Sequence, residues 1–137
     1  MKLAICGSMV FSEEMLKAKT QLELLDHVVL IPAFLDSYRN ISQKEVEKLS
    51  VKHKLENDVM RDHWEKIQQS DAILVLNYDR KGITNYIGGN SFLEIGFAYV
   101  LKKKIFLLND IPEIEFYKSE IEAAKPLILN GDLSKIR

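Results

Sequence analysis

Asp71-Ala72-Ile73-Leu74-Val75-Leu76-Asn77 is the stretch that decides the fold. Five consecutive apolar residues between polar ends leave no wet face, so this strand belongs in the middle of a sheet covered on both sides. Such a sheet needs helices on both faces, and the sequence on either side supplies them. Upstream, Leu3-Ala4-Ile5-Cys6 is a second buried run closed by Gly7-Ser8, and Val28-Val29-Leu30-Ile31 is a third, ended by Pro32. Downstream, Lys104 to Leu108 and Leu127 to Leu129 read as two more. Between them the apolar period changes to that of helices. One starts at Ser12 as N-cap, with Met15, Ala18, Leu22 and Leu25 inward, and a short one starts near Ser42. A long one runs from about Lys52 to Gln69 with Leu55, Val59, Met60, Trp64 and Ile67 as its stripe. Others cover Ser91 to Leu101, and Glu113 to Ala124 opened by Pro112. The alternation predicts an α/β fold, Rossmann-like (flavodoxin-like), a three-layer sandwich with about five parallel strands, in a single domain over 1–137.

Composition agrees. Of 137 residues, 47% are apolar and 28% charged, a balance that excludes extended disorder and low-complexity architecture. A net charge of -1 gives no global attraction to nucleic acid or anionic membrane, so neither is expected as a partner. The run Lys102-Lys103-Lys104 follows a helix and is read as complementing its dipole. The single cysteine, Cys6, cannot pair internally and sits in an apolar strand, where a buried core thiol is expected. No apolar run approaches membrane-spanning length and no secretory h-region opens the chain, which predicts a cytoplasmic protein. His53 and His63 are ten apart, not at the i, i+4 spacing of a metal pair. They are expected at the surface or an edge, with no metal site and no cofactor.

In open parallel sheets ligands bind outside the carboxyl ends of strands, where strand order reverses. Three loops leave such ends with informative residues: Gly7 to Phe11, Asn77 to Gly82, and the continuation to Glu94. In Gly88-Gly89-Asn90-Ser91 the glycines let backbone approach a ligand closely, and the helix start offers unpaired N–H groups to sugar or phosphate oxygens. Glu94 follows on the first turn, where Gly96 and Ala98 permit close docking of the helix on the sheet. Two readings compete. Ser91-Phe92-Leu93-Glu94 matches the capping box, in which Ser and Glu satisfy the helix end. Alternatively Glu94 faces a crevice shared with Gly7-Ser8. The loop around Asp36 to Asn40 is either a pocket cover or a surface connection.

Ile5-Cys6-Gly7-Ser8-Met9, Ser70 to Val75, Gly88 to Ala98 and Lys103 to Leu108 together resemble the nucleoside 2-deoxyribosyltransferase-like superfamily, in the same order over nearly the whole chain. The resemblance implies cleavage or transfer of an N-glycosidic bond in a nucleoside or nucleoside 5′-monophosphate. It makes Glu94 the nucleophile that forms a glycosyl-enzyme ester. The matching Gly7, Ser8 and Ser91 would contact the sugar or its phosphate, and Met9 with the Gly88, Gly89 and Asn90 turn completes the substrate-binding set read from the residues themselves. Two departures stand out. The family's transferases carry Asp six residues before the glutamate and Gly four before it, whereas this chain has Gly88 and Asn90. Asp79 is the nearest substitute for the missing carboxylate, and Tyr78 beside it is a candidate to stack on a base. Second, the first loop lacks the arginine of nucleotide-cleaving relatives and is followed by Glu13 and Glu14, which favours a nucleoside unless Arg39, Arg80 or Lys81 supplies charge. Altered base-site residues favour hydrolysis over transfer. The alternatives are a nucleoside- or nucleotide-binding module without turnover, and cleavage of a dinucleotide such as NAD. The family also implies a homodimer or higher homo-oligomer.

Overall fold

The run at 72–76 lies in the middle of a five-stranded parallel sheet, as its lack of a polar face requires. A computed structural model describes residues 1–137. Strands β1 (Lys2–Cys6), β2 (Val28–Leu30), β3 (Ala72–Val75), β4 (Lys104–Leu107) and β5 (Leu127–Ile128) stand in the order β2-β1-β3-β4-β5. Every neighbouring pair is parallel, with Ala4 opposite Ile73 and Leu74 opposite Phe106. Five helices connect them: α1 (Ser12–Leu24), α2 (Gln43–Glu56), α3 (Val59–Gln69), α4 (Gly89–Val100) and α5 (Lys118–Ala123). The alternation predicts the parallel sheet with helices on both faces, and its strand order is the flavodoxin-like one.

The period of two along each strand builds a core on each face. Leu3 and Ile5 of β1 and Leu74 of β3 meet Met15, Ala18 and Leu22 of α1. Ala4, Cys6, Ile73 and Val75 meet Ile67 of α3, Ile95 and Ala98 of α4, and Ile121 of α5. Three layers result. The carboxyl ends of β3 and β4 are tied by Asn77, whose amide donates to the carbonyls of Asn109 (2.9 Å) and Asp110 (3.0 Å) while its Oδ1 accepts from the Asn109 N–H (2.9 Å). A fully buried amide with these partners fixes where the loops above the sheet begin.

Several local expectations change. Ser12 is the first residue of α1, not its cap, and its buried hydroxyl is directed at the Tyr38 carbonyl at 3.5 Å. Ser8 instead caps a short 3₁₀ turn, Met9–Phe11, that leads into α1. The long helix at 52–69 is two helices. Asp58 takes a left-handed conformation (φ 49°) that Asn and Asp tolerate, so α2 ends at Glu56 and α3 starts at Val59, while Leu55 is left exposed. The helix opened by Pro112 begins only at Lys118. Gly96 faces open space, and close docking of α4 falls to buried Ala98. Lys103 donates to the Gln68 carbonyl (3.0 Å), at the end of α3, and Lys104 to the Arg137 carbonyl (2.9 Å). Two side chains of the lysine run thus reach other segments, while the Lys102 and Lys103 N–H groups donate to the Tyr99 (3.1 Å) and Ala98 (2.9 Å) carbonyls at the end of α4. No helix is long and apolar enough to cross a membrane.

Candidate active site

The strand order turns between β1 and β3, because the chain leaves β1 toward β2 and leaves β3 toward β4. A cavity of about 370 Å³ opens above that point, within the range of ~300–1,000 Å³ usual for small-molecule sites. Gly7, Ser8 and Met9 line it from the end of β1, and Gly88, Gly89, Asn90, Ser91 and Glu94 from the start of α4. Eight of the sequence-derived site residues thus converge. A Cβ at Gly7 would lie 3.2 Å from the Leu76 carbonyl oxygen, so only glycine lets these two strand ends approach so closely.

Gly88 is the N-cap of α4 and makes no side-chain cap bond, while Ser91 lies buried inside the first turn. The capping-box reading is therefore wrong for this helix. Gly89, Asn90 and Ser91 have no intrahelical acceptor for their N–H groups, which are left at the cavity with the positive end of the helix dipole. The Asn90 side-chain oxygen is also buried without a partner.

Freed from capping, Glu94 is 4% exposed and turns toward α3 and β1. Its Oε2 lies 3.8 Å from His63 Nε2, and that nitrogen lies 3.6 Å from Cys6 Sγ. Desolvation pushes the Glu94 carboxyl up to about 8, although the Cys6 thiol pulls it back in part. Desolvation, then the nearby Lys66 charge, lowers His63 to about 4, against opposing contributions from the Ile5 backbone and Asp62. Burial drives the Cys6 thiol well above its ordinary range, with the Glu94 charge adding to the rise. At pH 7 His63 is neutral and Glu94 mostly protonated, so their contact is not an ion pair.

Asp79 and Tyr78 are not brought to the cavity. The Asp79 carboxylate accepts from the Asn85 N–H (2.9 Å) at the surface and closes the loop after β3. Tyr78 packs edge-on against Phe11 (5.0 Å) over the α1 side of the sheet. The loop between them and α4 contributes Arg80, Lys81 and Tyr86 instead, and α2 adds Glu47, Ser50 and Lys54. Arg80 bonds Glu47 at 2.9 Å and lies over the Tyr86 ring at 5.6 Å. Arg39 pairs with Glu13 (2.9 Å) and neither lines the cavity.

His53 and His63 are both buried, contrary to expectation. His53 bonds the Tyr38 hydroxyl (2.6 Å) and stacks on Phe34 (4.4 Å). His63 was legible in principle: Met60, His63 and Ile67 lie at helical spacing, and the break at Asn57-Asp58 resets which face of α3 is inward. The lining from α2 gave no sequence signal, because it depends on how that helix folds over the loops.

No protein-family model matches the sequence, and no curated protein matches it. Solved structures do. The 2-deoxyribosyltransferase of the psychrotolerant bacterium Bacillus psychrosaccharolyticus aligns with a TM-score of 0.51 at 19% identity, covering 79% of this chain and 72% of that one. The two share a fold. The CMP N-glycosidase of Clostridium botulinum aligns over 93% of this chain and 85% of its own, at 15% identity and a TM-score of 0.47.

Proposed function

We propose that the protein cleaves the N-glycosidic bond of a nucleoside or nucleoside 5′-monophosphate, with Glu94 as nucleophile. The observation that carries this reading is a buried carboxylate that caps nothing, at a cavity rimmed by backbone donors and by the Gly7-Ser8 turn. The resemblance in the sequence and the shared fold point the same way. Ionised Glu94 attacks the anomeric carbon, and the base leaves with the electron pair of the C1′–N bond and a proton from cavity water. Water then hydrolyses the glycosyl ester and regenerates the carboxylate. Hydrolysis is favoured over transfer because Tyr78 and Asp79, the sequence's candidates for a base site, lie outside the cavity.

Lys54, Arg80 and Lys81 on the lining shift the preference toward a 5′-monophosphate, while Glu13, held by Arg39, lies off the cavity. The outer face of α4, with Leu93, Tyr99 and Val100 exposed, supports assembly into a homodimer or larger homo-oligomer, checked by sedimentation of the wild type against Val100→Glu. The reading suits a cytoplasmic protein, where a lone unpaired cysteine stays reduced. The test is incubation with a panel of nucleosides, monophosphates and NAD, with free base followed by chromatography. Base release that disappears in Glu94→Ala supports the reading. Ligand-induced thermal shift with no product would instead make the protein a binding module, and nicotinamide alone would make it a dinucleotide hydrolase.

A further inference from the structure

We propose that Cys6, His63 and Glu94 form a site for one soft divalent cation, best matched by Zn²⁺, whose binding takes the Glu94 carboxylate out of the cavity's chemistry. A thiol, an imidazole nitrogen and a carboxylate oxygen arrive from β1, α3 and α4 and lie within 4.8 Å of one another. Four-coordinate zinc places a bound sulfur and nitrogen about 3.5 Å apart and a nitrogen and oxygen about 3.3 Å apart. The free protein already has 3.6 Å for Cys6 to His63 and 3.8 Å for His63 to Glu94. The third pair, Cys6 and Glu94, lies within 4.8 Å and closes toward about 3.5 Å by side-chain rotation as the ion binds.

The donor set selects the metal. A thiolate excludes Mg²⁺ and Ca²⁺, which take oxygen ligands, and suits Zn²⁺. Charge also balances: the Cys6 thiolate and the Glu94 carboxylate neutralise the ion in a buried place where a lone anion is costly. His63 coordinates through Nε2 as neutral imidazole. Cys6 is fully buried, whereas His63 and Glu94 line the cavity, so a fourth position opens toward solvent and lets the ion enter and leave. The cation site stands on these residues alone, while the consequence for turnover rests on the glycosidic reading.

The test uses the intact, chelator-treated protein titrated with Co²⁺. One equivalent is expected to give a near-ultraviolet thiolate-to-cobalt band that Zn²⁺ displaces, with affinity weakened about tenfold or more in His63→Ala and the band absent in Cys6→Ala. Circular dichroism establishes that the variants fold. X-ray absorption on the zinc-loaded wild type reads the ligands without any variant, and is expected to show one sulfur. No thiolate band in excess Co²⁺, or zinc bound by nitrogen and oxygen only, overturns the site. Where base release is present, saturating Zn²⁺ is expected to suppress it about tenfold or more and a chelator to restore it. Undiminished turnover overturns the switch. A protein that shows the band but releases no base refutes the glycosidic reading and leaves the cation site standing.

Discussion

Glu94 Oε2 lies 3.8 Å from His63 Nε2 in a part of the structure where both side chains are almost fully shielded from water. The two groups answer that shielding in opposite ways. The carboxyl keeps its proton to about pH 8 and the imidazole refuses one until about pH 4. The pair is thus neutral by default, and the carboxylate that chemistry needs is a minor form at pH 7, about a tenth of the total.

Stability in chelator should follow both groups. Glu94 has a folded pKa above its unfolded value of 4.5, so the folded state holds the extra proton between about 4.5 and 8 and its contribution is lost as pH rises through that window. His63 has a folded pKa below 6.5, so its contribution grows with pH between about 4 and 6.5. The slopes oppose each other up to about pH 6.5 and leave a net decline from there to about 8. Denaturant melts at half-unit pH steps check this, and a rise across 6.5 to 8 contradicts it.

Glu94→Gln keeps the shape and removes the charge. It should raise stability at pH 8 by on the order of 4 kcal/mol and abolish the decline above pH 6.5. Base release should fall by about 10³-fold or more. Urea midpoints and chromatography measure the two effects on the same preparation. A variant that loses stability at pH 8 means that Glu94 is a structural acceptor.

The rate of base release at limiting substrate should climb with pH through about 8 and then level, because only the ionised carboxylate attacks. A rate that is flat from pH 6 to 9 assigns the nucleophile elsewhere.

Asp79→Ala should leave base release within about twofold and cost about 1 kcal/mol of stability, since its carboxylate caps a surface loop through the Asn85 N–H. Loss of turnover without loss of stability would return Asp79 to the catalytic set.

Arg80→Ala should raise KM for a 5′-monophosphate about tenfold while changing KM for the matching nucleoside little, because the guanidinium is on the cavity wall and on the proposed reading takes the phosphate. Equal effects on both substrates would assign Arg80 to holding Glu47 and Tyr86 in place.

The sheet was legible because its signal is local: the unbroken run at 72–76 and the apolar run at 3–6 cannot be placed anywhere but between two helical layers. The Gly7 and Gly88 loops followed from that, since topology alone brings the ends of β1 and β3 together. What the sequence concealed depends on angles between elements. Ser91 and Glu94 have capping-box spacing whether or not Ser91 is the cap, and only the start of α4 at Gly89 separates the readings. Cys6 and His63 are 57 positions apart and each reads as an ordinary core or edge residue. Their meeting with Glu94 follows from packing α3 beside α4 on one face of the sheet, which no single window contains.

Mass spectrometry of the protein quenched in acid during turnover tests the central claim most directly. The account predicts a covalent species heavier by the sugar or sugar phosphate without its base, mapped to the peptide that holds Glu94 and absent from Glu94→Gln. Turnover with no adduct on that peptide, and with activity kept in Glu94→Gln, would contradict it.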